Sequence, residues 1–445
     1  MVLQKPERRW ETKPLQCWEK AKELRRKFYQ DEKGAKDKGM LLVDGFDSSC
    51  LGGVGNCHMV FYNPLGASIV AASNEFSRQC MAECEIRGYG RDFCGYVRNS
   101  LGAMFLNRGL LGGEFPPRDL VIALAGGCDA HNRPPQLISE HYNVPLFAMD
   151  LTAYYAPRDD VERDEIRRQY MIEQTLEQIE WLEKVTGREF DDEAFAEVGR
   201  NGLQIQAIAG ETLHLNQNIP APLDQKSIYS IFTLGMLVRS EQEETIAFWE
   251  MLRDEVKDRV ANKIAAVGTE RYRYMEEQPP PWYYLKYYRY LERYGAVCIG
   301  SPYTQSIAGI QWGWQEDGTY RPNKNPWELG WPFDSRENTV RALVQFWGGG
   351  TGFGRHGVAH EVTSKRLVDM ARVYHCNGAI LGLWRAAPGY TFGMREAALE
   401  LIKAGIPTMH YEGAQYGDKT DFDEAQMLDR LDVFMETQGL GKLED

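Results

Sequence analysis

Two cysteines stand where chemistry has a structural reason to gather. Cys128 follows the run DLVIALAGG, whose Asp119 to Ala125 stretch is the clearest buried strand in the chain. An unbroken apolar run suits a parallel strand covered on both faces, and ligands of open parallel sheets collect beyond the carboxyl ends of such strands. Cys94, in GRDFCGYVRNSLG, reads as the entry to a helix, where free N–H groups stabilise a thiolate. Both positions can face one crevice. Thiolates favour soft metals, and an iron–sulfur cluster takes four of them, or three with one iron open to another ligand. The chain has no C-x2-C pair, which argues against a zinc ribbon or a ferredoxin-type loop.

Other reactive side chains are weaker markers. His131 lies three residues past Cys128 in GGCDAH and is a candidate proton donor. Tyr303, expected in the loop after a strand Ala296 to Gly300, is a second. His356 and His360 have the i, i+4 spacing of zinc ligands without the H-E-x-x-H pattern, so a structural role is expected. The stretch GGGTGFGRHG, Gly348 to Gly357, lacks the Lys-Ser/Thr of a P-loop, and ATP binding is not expected on this chain. Cys80 and Cys84, four apart in RQCMAEC, fit one face of a packed helix.

Nine cysteines cannot all pair, and with no apolar leader after Met1 the reading is cytoplasmic, with free thiols rather than disulfides. No segment reaches the ~18–20 apolar residues of a spanning helix, so no membrane partner is expected. A net charge of −13 argues against nucleic acid, although a small basic funnel is compatible with it. Hydrophobic residues at 43% and charged residues at 26% exclude disorder.

The elements that must position these residues suggest an α/β protein: two open parallel-sheet units of Rossmann or flavodoxin type, with a helical segment between and around them. Residues 1–39 read as an N-terminal helical arm and 40–158 as the first α/β unit. Residues 159–281 form a helical region, and 282–445 the second α/β unit with a C-terminal helix. Expected strands are Met40 to Gly45, His58 to Tyr62, Asp119 to Ala125, Val144 to Met149, Ala296 to Gly300, Gly378 to Leu383 and Pro407 to Glu412. Met40 to Gly45 and His58 to Tyr62 are joined in this reading by an irregular, cysteine-bearing connection. The main helices are expected at Gln136 to Tyr142, Asp160 to Gly187, Asp192 to Asn201, Glu241 to Ala266, Trp282 to Arg293, Val362 to Val373 and Gly393 to Lys403, with a last one from Asp423 to Glu436.

Taken in order from about Met40, these segments resemble the benzoyl-CoA reductase and 2-hydroxyacyl-CoA dehydratase family. DFCGYVRNSLG is similar to the family's C-[ST]-Y-x-[RK] segment, and LAGGCD to its strand end. LEKVTGREFDDEAF looks like its helix-closing segment. Length and the stretch PPPWYYLKYYRYLERYGAVCIGSPYT resemble most the B-type active-site subunit of ATP-dependent benzoyl-CoA reductases.

The resemblance implies an oxidoreductase of anaerobic aromatic degradation: two-electron dearomatisation of benzoyl-CoA, or a substituted analogue, to a cyclohexadiene carboxyl-CoA. It implies a paralogous C-type subunit and an acyl-CoA substrate. It also implies two ATPase, electron-activating subunits that carry ATP and Mg, fed by a ferredoxin-type donor. Cys94 and Cys128 match two ligand positions of a [4Fe-4S] cluster. The third falls in WRAAPGY, where Ala386 and Ala387 cannot ligate iron. Cys50, Cys57 or a partner residue would then substitute; Cys376 lies before its strand and suits the role less. The alternatives are a 2-hydroxyacyl-CoA dehydratase subunit, working with a recycled electron, and a metal-free scaffold subunit.

Overall fold

Alternation of side chains across a strand, together with helices long enough to return the chain, builds two parallel sheets. The computed structural model describes residues 9–45, 49–125, 132–150, 161–237, 243–277, 279, 281–307, 309–348, 360–384, 391, 393–413 and 423–444. Helix α1 (Trp18–Gly34) buries Ala21, Leu24 and Phe28 on one face. It is followed by β1 (Leu41–Gly45), α2 (Ser49–Val54), β2 (Cys57–Val60), α3 (Tyr62–Ala72), α4 (Asn74–Ile86), α5 (Gly95–Phe105), β3 (Leu120–Ala125), α6 (Arg133–Tyr142) and β4 (Leu146–Asp150). The four strands form one parallel sheet in the order β2-β1-β3-β4.

Period-two alternation divides this sheet's residues between two cores. Leu120, Ile122 and Leu124 of β3 face one core, while Val121 faces the other with α3, α4 and α5. Ser73 caps α4 by accepting the N–H of Phe76 at 3.2 Å. Helices α3 and α5 meet almost backbone to backbone: a Cβ on Gly66 would lie 1.9 Å from the Tyr96 carbonyl oxygen, so only glycine fits. Arg118, wholly buried, ties α1 to β1 through Glu32 and Asp44, each at 3.1 Å.

The helical segment comprises α7 (Val161–Thr186), α8 (Asp192–His214), α9 (Gln225–Leu237) and α10 (Glu243–Asn262). Asp191 caps α8 by accepting the N–H groups of Glu193 and Ala194. The second unit runs β5 (Tyr272–Glu277), α11 (Lys286–Glu292), β6 (Ala296–Cys298), α12 (Pro302–Ile307), β7 (Trp312–Trp314), β8 (Tyr320–Pro322), α13 (Arg336–Gly348), α14 (His360–Val373), β9 (Gly378–Trp384), α15 (Met394–Lys403), β10 (Thr408–Gly413) and α16 (Glu424–Thr437). Its parallel sheet has the order β10-β9-β5-β6, and β7 with β8 forms a separate antiparallel pair. Counted from its own first strand, the second sheet repeats the order of the first. Two open parallel sheets with helices between and around them are what the sequence led one to expect.

Departures from expectation are local. Strand β5, unforeseen, carries Arg273, Glu276 and Glu277 among six buried residues, so it shows neither an apolar run nor alternation. The connection between β1 and β2 is a short helix rather than an irregular loop. The expected helix Trp282 to Arg293 is a 3-10 turn, Trp282–Tyr284, and then α11. Helix α8 continues well past Asn201. Among the described residues no helix is long and apolar enough to cross a membrane.

Candidate active site at the carboxyl edges of the two sheets

In each sheet the chain leaves in opposite directions from adjacent strands, β1 and β3 in the first and β5 and β9 in the second, and crevices open beyond such switch points. Cys94 stands at the N-cap of α5, the helix that runs back from this edge of the first sheet to feed β3. Its side chain is buried in a core with Tyr96 and Val97, and Trp384, the last residue of β9, joins that same core. Tyr283 sits edge-on to Trp384 with ring centroids 5.9 Å apart. The end of the second sheet thus shares a hydrophobic core with the helix entry that holds the thiol.

The expectation that the helix entry would favour a thiolate needs correcting. The N–H groups of Val97 and Tyr96 do pull the Cys94 thiol down, but burial outweighs them and holds it above its ordinary range. Cys128 and His131 lie outside the described residues, three and six positions past the end of β3. Ala386, Ala387 and His356 lie outside them too, as does all but the first residue of Gly348 to Gly357; His360 opens α14.

Cys50 and Cys57, offered as substitute ligands, are in the core on the opposite face of the first sheet from Cys94. Cys57 opens β2, at the far end from the crevice, and its thiol donates to the Gly55 carbonyl. Alternation along β2 sends Cys57 and Val60 to opposite faces, so Cys57 packs away from the face that holds Cys94. Cys80 and Cys84 are buried on α4, which packs against α5, as expected of a structural pair.

Sequence reasoning missed a buried polar cluster at the second edge. Glu277, the last residue of β5, is 3% exposed. Its Oε2 accepts the backbone N–H of Tyr303 at 2.8 Å and the Ser301 hydroxyl at 3.3 Å, and Arg366 stands 4.0 Å from Oε1. Burial pushes the carboxyl up to about 7 against the pull of Arg366 and of the Tyr303 N–H. Its neighbour Glu276 accepts the hydroxyls of Tyr287 and Tyr288. Both phenols are held far above their usual range, by burial first and by Glu276 next. Tyr303 itself belongs to α12 rather than to a loop, buried edge-on to Tyr229 at 6.4 Å. The signal that would have found Glu277 is a pair of carboxylates at the end of a short tyrosine-rich run, just before the prolines of EEQPPP.

This edge can hold a proton near neutrality in a place shielded from water. Among the described residues no three His, Cys, Asp or Glu side chains are arranged to grip a metal ion. The described residues bring one thiol, Cys94, to the first edge, where a cluster takes three or four.

Residues 60–437 match the family described as 2-hydroxyglutaryl-CoA dehydratase, D-component. The chain belongs to that family. It is similar to the (R)-2-hydroxyisocaproyl-CoA dehydratase alpha subunit of Clostridioides difficile, 28% identical over 256 residues, 56% of this chain and 60% of the relative. It is also similar to the (R)-phenyllactyl-CoA dehydratase alpha subunit of Clostridium sporogenes, 23% identical over 375 residues, 84% of this chain and 83% of the relative.

These findings overturn the assignment to a B-type benzoyl-CoA reductase subunit, and with it the oxidoreductase of aromatic rings and of anaerobic aromatic degradation. No description among them speaks of an iron–sulfur protein, so that term draws no support from them. The physical reason for the misreading lies in PPPWYYLKYYRYLERYG. Its tyrosines, taken as a mark of the reductase, pack around α11 as the core of the second unit, and a core is no guide to the reaction.

Proposed function

We propose that this chain is the alpha-type subunit of a 2-hydroxyacyl-CoA dehydratase, acting on an (R)-2-hydroxyacyl-CoA within a hetero-oligomer. The observation that carries the reading is the family match from 60 to 437, which takes in Cys94, β3 and the whole of the second sheet; two relatives named as dehydratase alpha subunits support it. The reaction breaks the C2–O bond and a C3–H bond and forms a C2=C3 double bond. The products are a 2-enoyl-CoA and water, with no net oxidation. In this reading Glu277 is the group that holds or releases a proton at the second edge, Ser301 and the Tyr303 N–H orient its carboxylate, and the surrounding tyrosines exclude water.

The finer partner set belongs to the same proposal: a paralogous second subunit and an ATPase-type activator charged by a ferredoxin-type donor. Cys94, with Cys128 beyond the described residues, remains the proposed thiol pair for a cluster, which when bound would supply a single recycled electron. The test is anoxic, reducing turnover of (R)-2-hydroxyacyl-CoAs with branched and aromatic side chains by the chain co-purified with its partners. Formation of 2-enoyl-CoA is the expected result. Its absence for every substrate, with activator present, would overturn the reading.

A further inference from the structure

One cleft has no part in the edges described above. It lies between α8 and the β7–β8 hairpin, with a volume of about 730 Å³. That is within the roughly 300–1,000 Å³ of small-molecule sites. Trp327 and Trp331 line it and are 39% and 38% exposed, leaving indole surface on which a planar group can stack. Three cations, Arg253, Arg321 and Lys324, line the same cleft in a chain of net charge −13. Its two carboxylates are engaged, Glu211 with Lys257 at 2.6 Å and Glu328 with the Asn325 N–H at 2.9 Å; Arg253 and Arg321 hold exposed pairs with Asp254 at 2.8 Å and Asp317 at 3.1 Å, which a phosphate would have to share or displace.

An orphaned donor points the same way. His214, at the end of α8, lines the cleft, and its Nε2 lies 3.0 Å from the amide nitrogen of Gln217. An amide nitrogen donates, so Nε2 accepts and the ring proton sits on Nδ1. That Nδ1 is buried with no partner among the described residues. Burial, and next the nearby Arg321, hold the ring's pKa down and keep it neutral. The indole N–H of adjacent Trp312, 5.7 Å away between ring centroids, is likewise buried without a partner. Unpaired buried donors beside a cationic wall call for an acceptor-rich ligand.

We propose that this cleft binds the adenosine 3′,5′-bisphosphate end of coenzyme A: a planar base for the tryptophans and phosphates for Arg321 and Lys324. The proposal rests on the acyl-CoA reading above, and its position suits that reading. The Gly309 carbonyl in the cleft wall accepts from Gln206, and α12 joins this wall to Tyr303 at the second edge.

Calorimetric titration of the full-length chain with adenosine 3′,5′-bisphosphate, coenzyme A, ADP and ATP tests this. Saturable binding of the first two is expected, weaker binding of ADP, and at least a tenfold loss in the double variant Arg321→Ala, Lys324→Ala with an unchanged circular dichroism spectrum. His214→Leu should weaken binding as well. No saturable binding of the bisphosphate, an unchanged affinity in the double variant, or tight ATP binding that coenzyme A fails to displace would each overturn it. The bisphosphate carries no thioester, so this result stands apart from success or failure of the turnover assay.

Discussion

The carboxylate of Glu277 accepts the backbone N–H of Tyr303 at 2.8 Å, tying the end of β5 to the start of α12. A buried carboxyl pushed up to about 7 keeps its proton in the folded chain after the unfolded chain, with an ordinary value of 4.5, has lost it. Folded protein therefore binds more protons between about 4.5 and 7, and this group's contribution to stability is full below that window and falls as pH rises through it. Glu277→Gln removes the dependence. Urea titrations from pH 4 to 8 should show the variant gaining on the parent across that window, and a constant difference would contradict the assignment. Turnover of the variant should fall and lose whatever ionisation the parent's rate shows near pH 7.

Arg118 should be far less replaceable than a surface arginine. Its loss strands Glu32 and Asp44 without their shared cation, and breaking a buried pair costs about 3–5 kcal/mol. Burial already holds Asp44 up at about 6 despite Arg118. The deficit of Arg118→Ala, read by chemical denaturation, should accordingly be largest at alkaline pH and shrink as pH falls toward 6, as Asp44, freed from the pull of Arg118, takes up a proton.

Gly66→Ala asks α3 and α5 to separate where the new methyl would meet the Tyr96 carbonyl. Overpacking of this kind costs about 1–3 kcal/mol. Because Cys94 caps α5, the substitution should also displace the thiol; a lower denaturation midpoint with reduced turnover is expected, and an unchanged midpoint would mean the helices yield freely.

Cys94 should resist alkylation. With its thiol buried and raised, native protein should leave Cys94 unlabelled by iodoacetamide at pH 8, with labelling only after unfolding, as peptide mass spectrometry would show. Iron and sulfide in anoxically purified protein should fall in Cys94→Ala. Unchanged content, or none in the parent, removes Cys94 from the ligand set.

Much of the scaffold was legible because burial of parallel strands writes itself as apolar runs: LVIALA for β3 and AILGLW within β9 are such runs. β5 was not legible, since burial of Arg273 depends on its pair with Glu270 together with the Asn216, Asn218 and Tyr374 carbonyls, distant in sequence, that receive its N–H groups. The place of Cys94 at a helix entry could be read from DFCGY, whereas its raised thiol could not, for that depends on burial that only the folded chain provides. Glu277 escaped notice for a similar reason: its neighbours Ser301, Tyr303 and Arg366 come from two other elements. The branch of the family stayed hidden because the tyrosines read as its mark serve packing.

Both sheets carry the same strand order, and the same βα plan laid out twice in one chain has the form of an ancient duplication. Copies freed from doing the same task can divide the labour. The first half has a thiol at its opening, and the second has carboxylates and phenols at the end of its own first strand. One strand plan thereby presents two edges of unlike chemistry, a buried thiol in the first unit and a proton-holding carboxyl in the second.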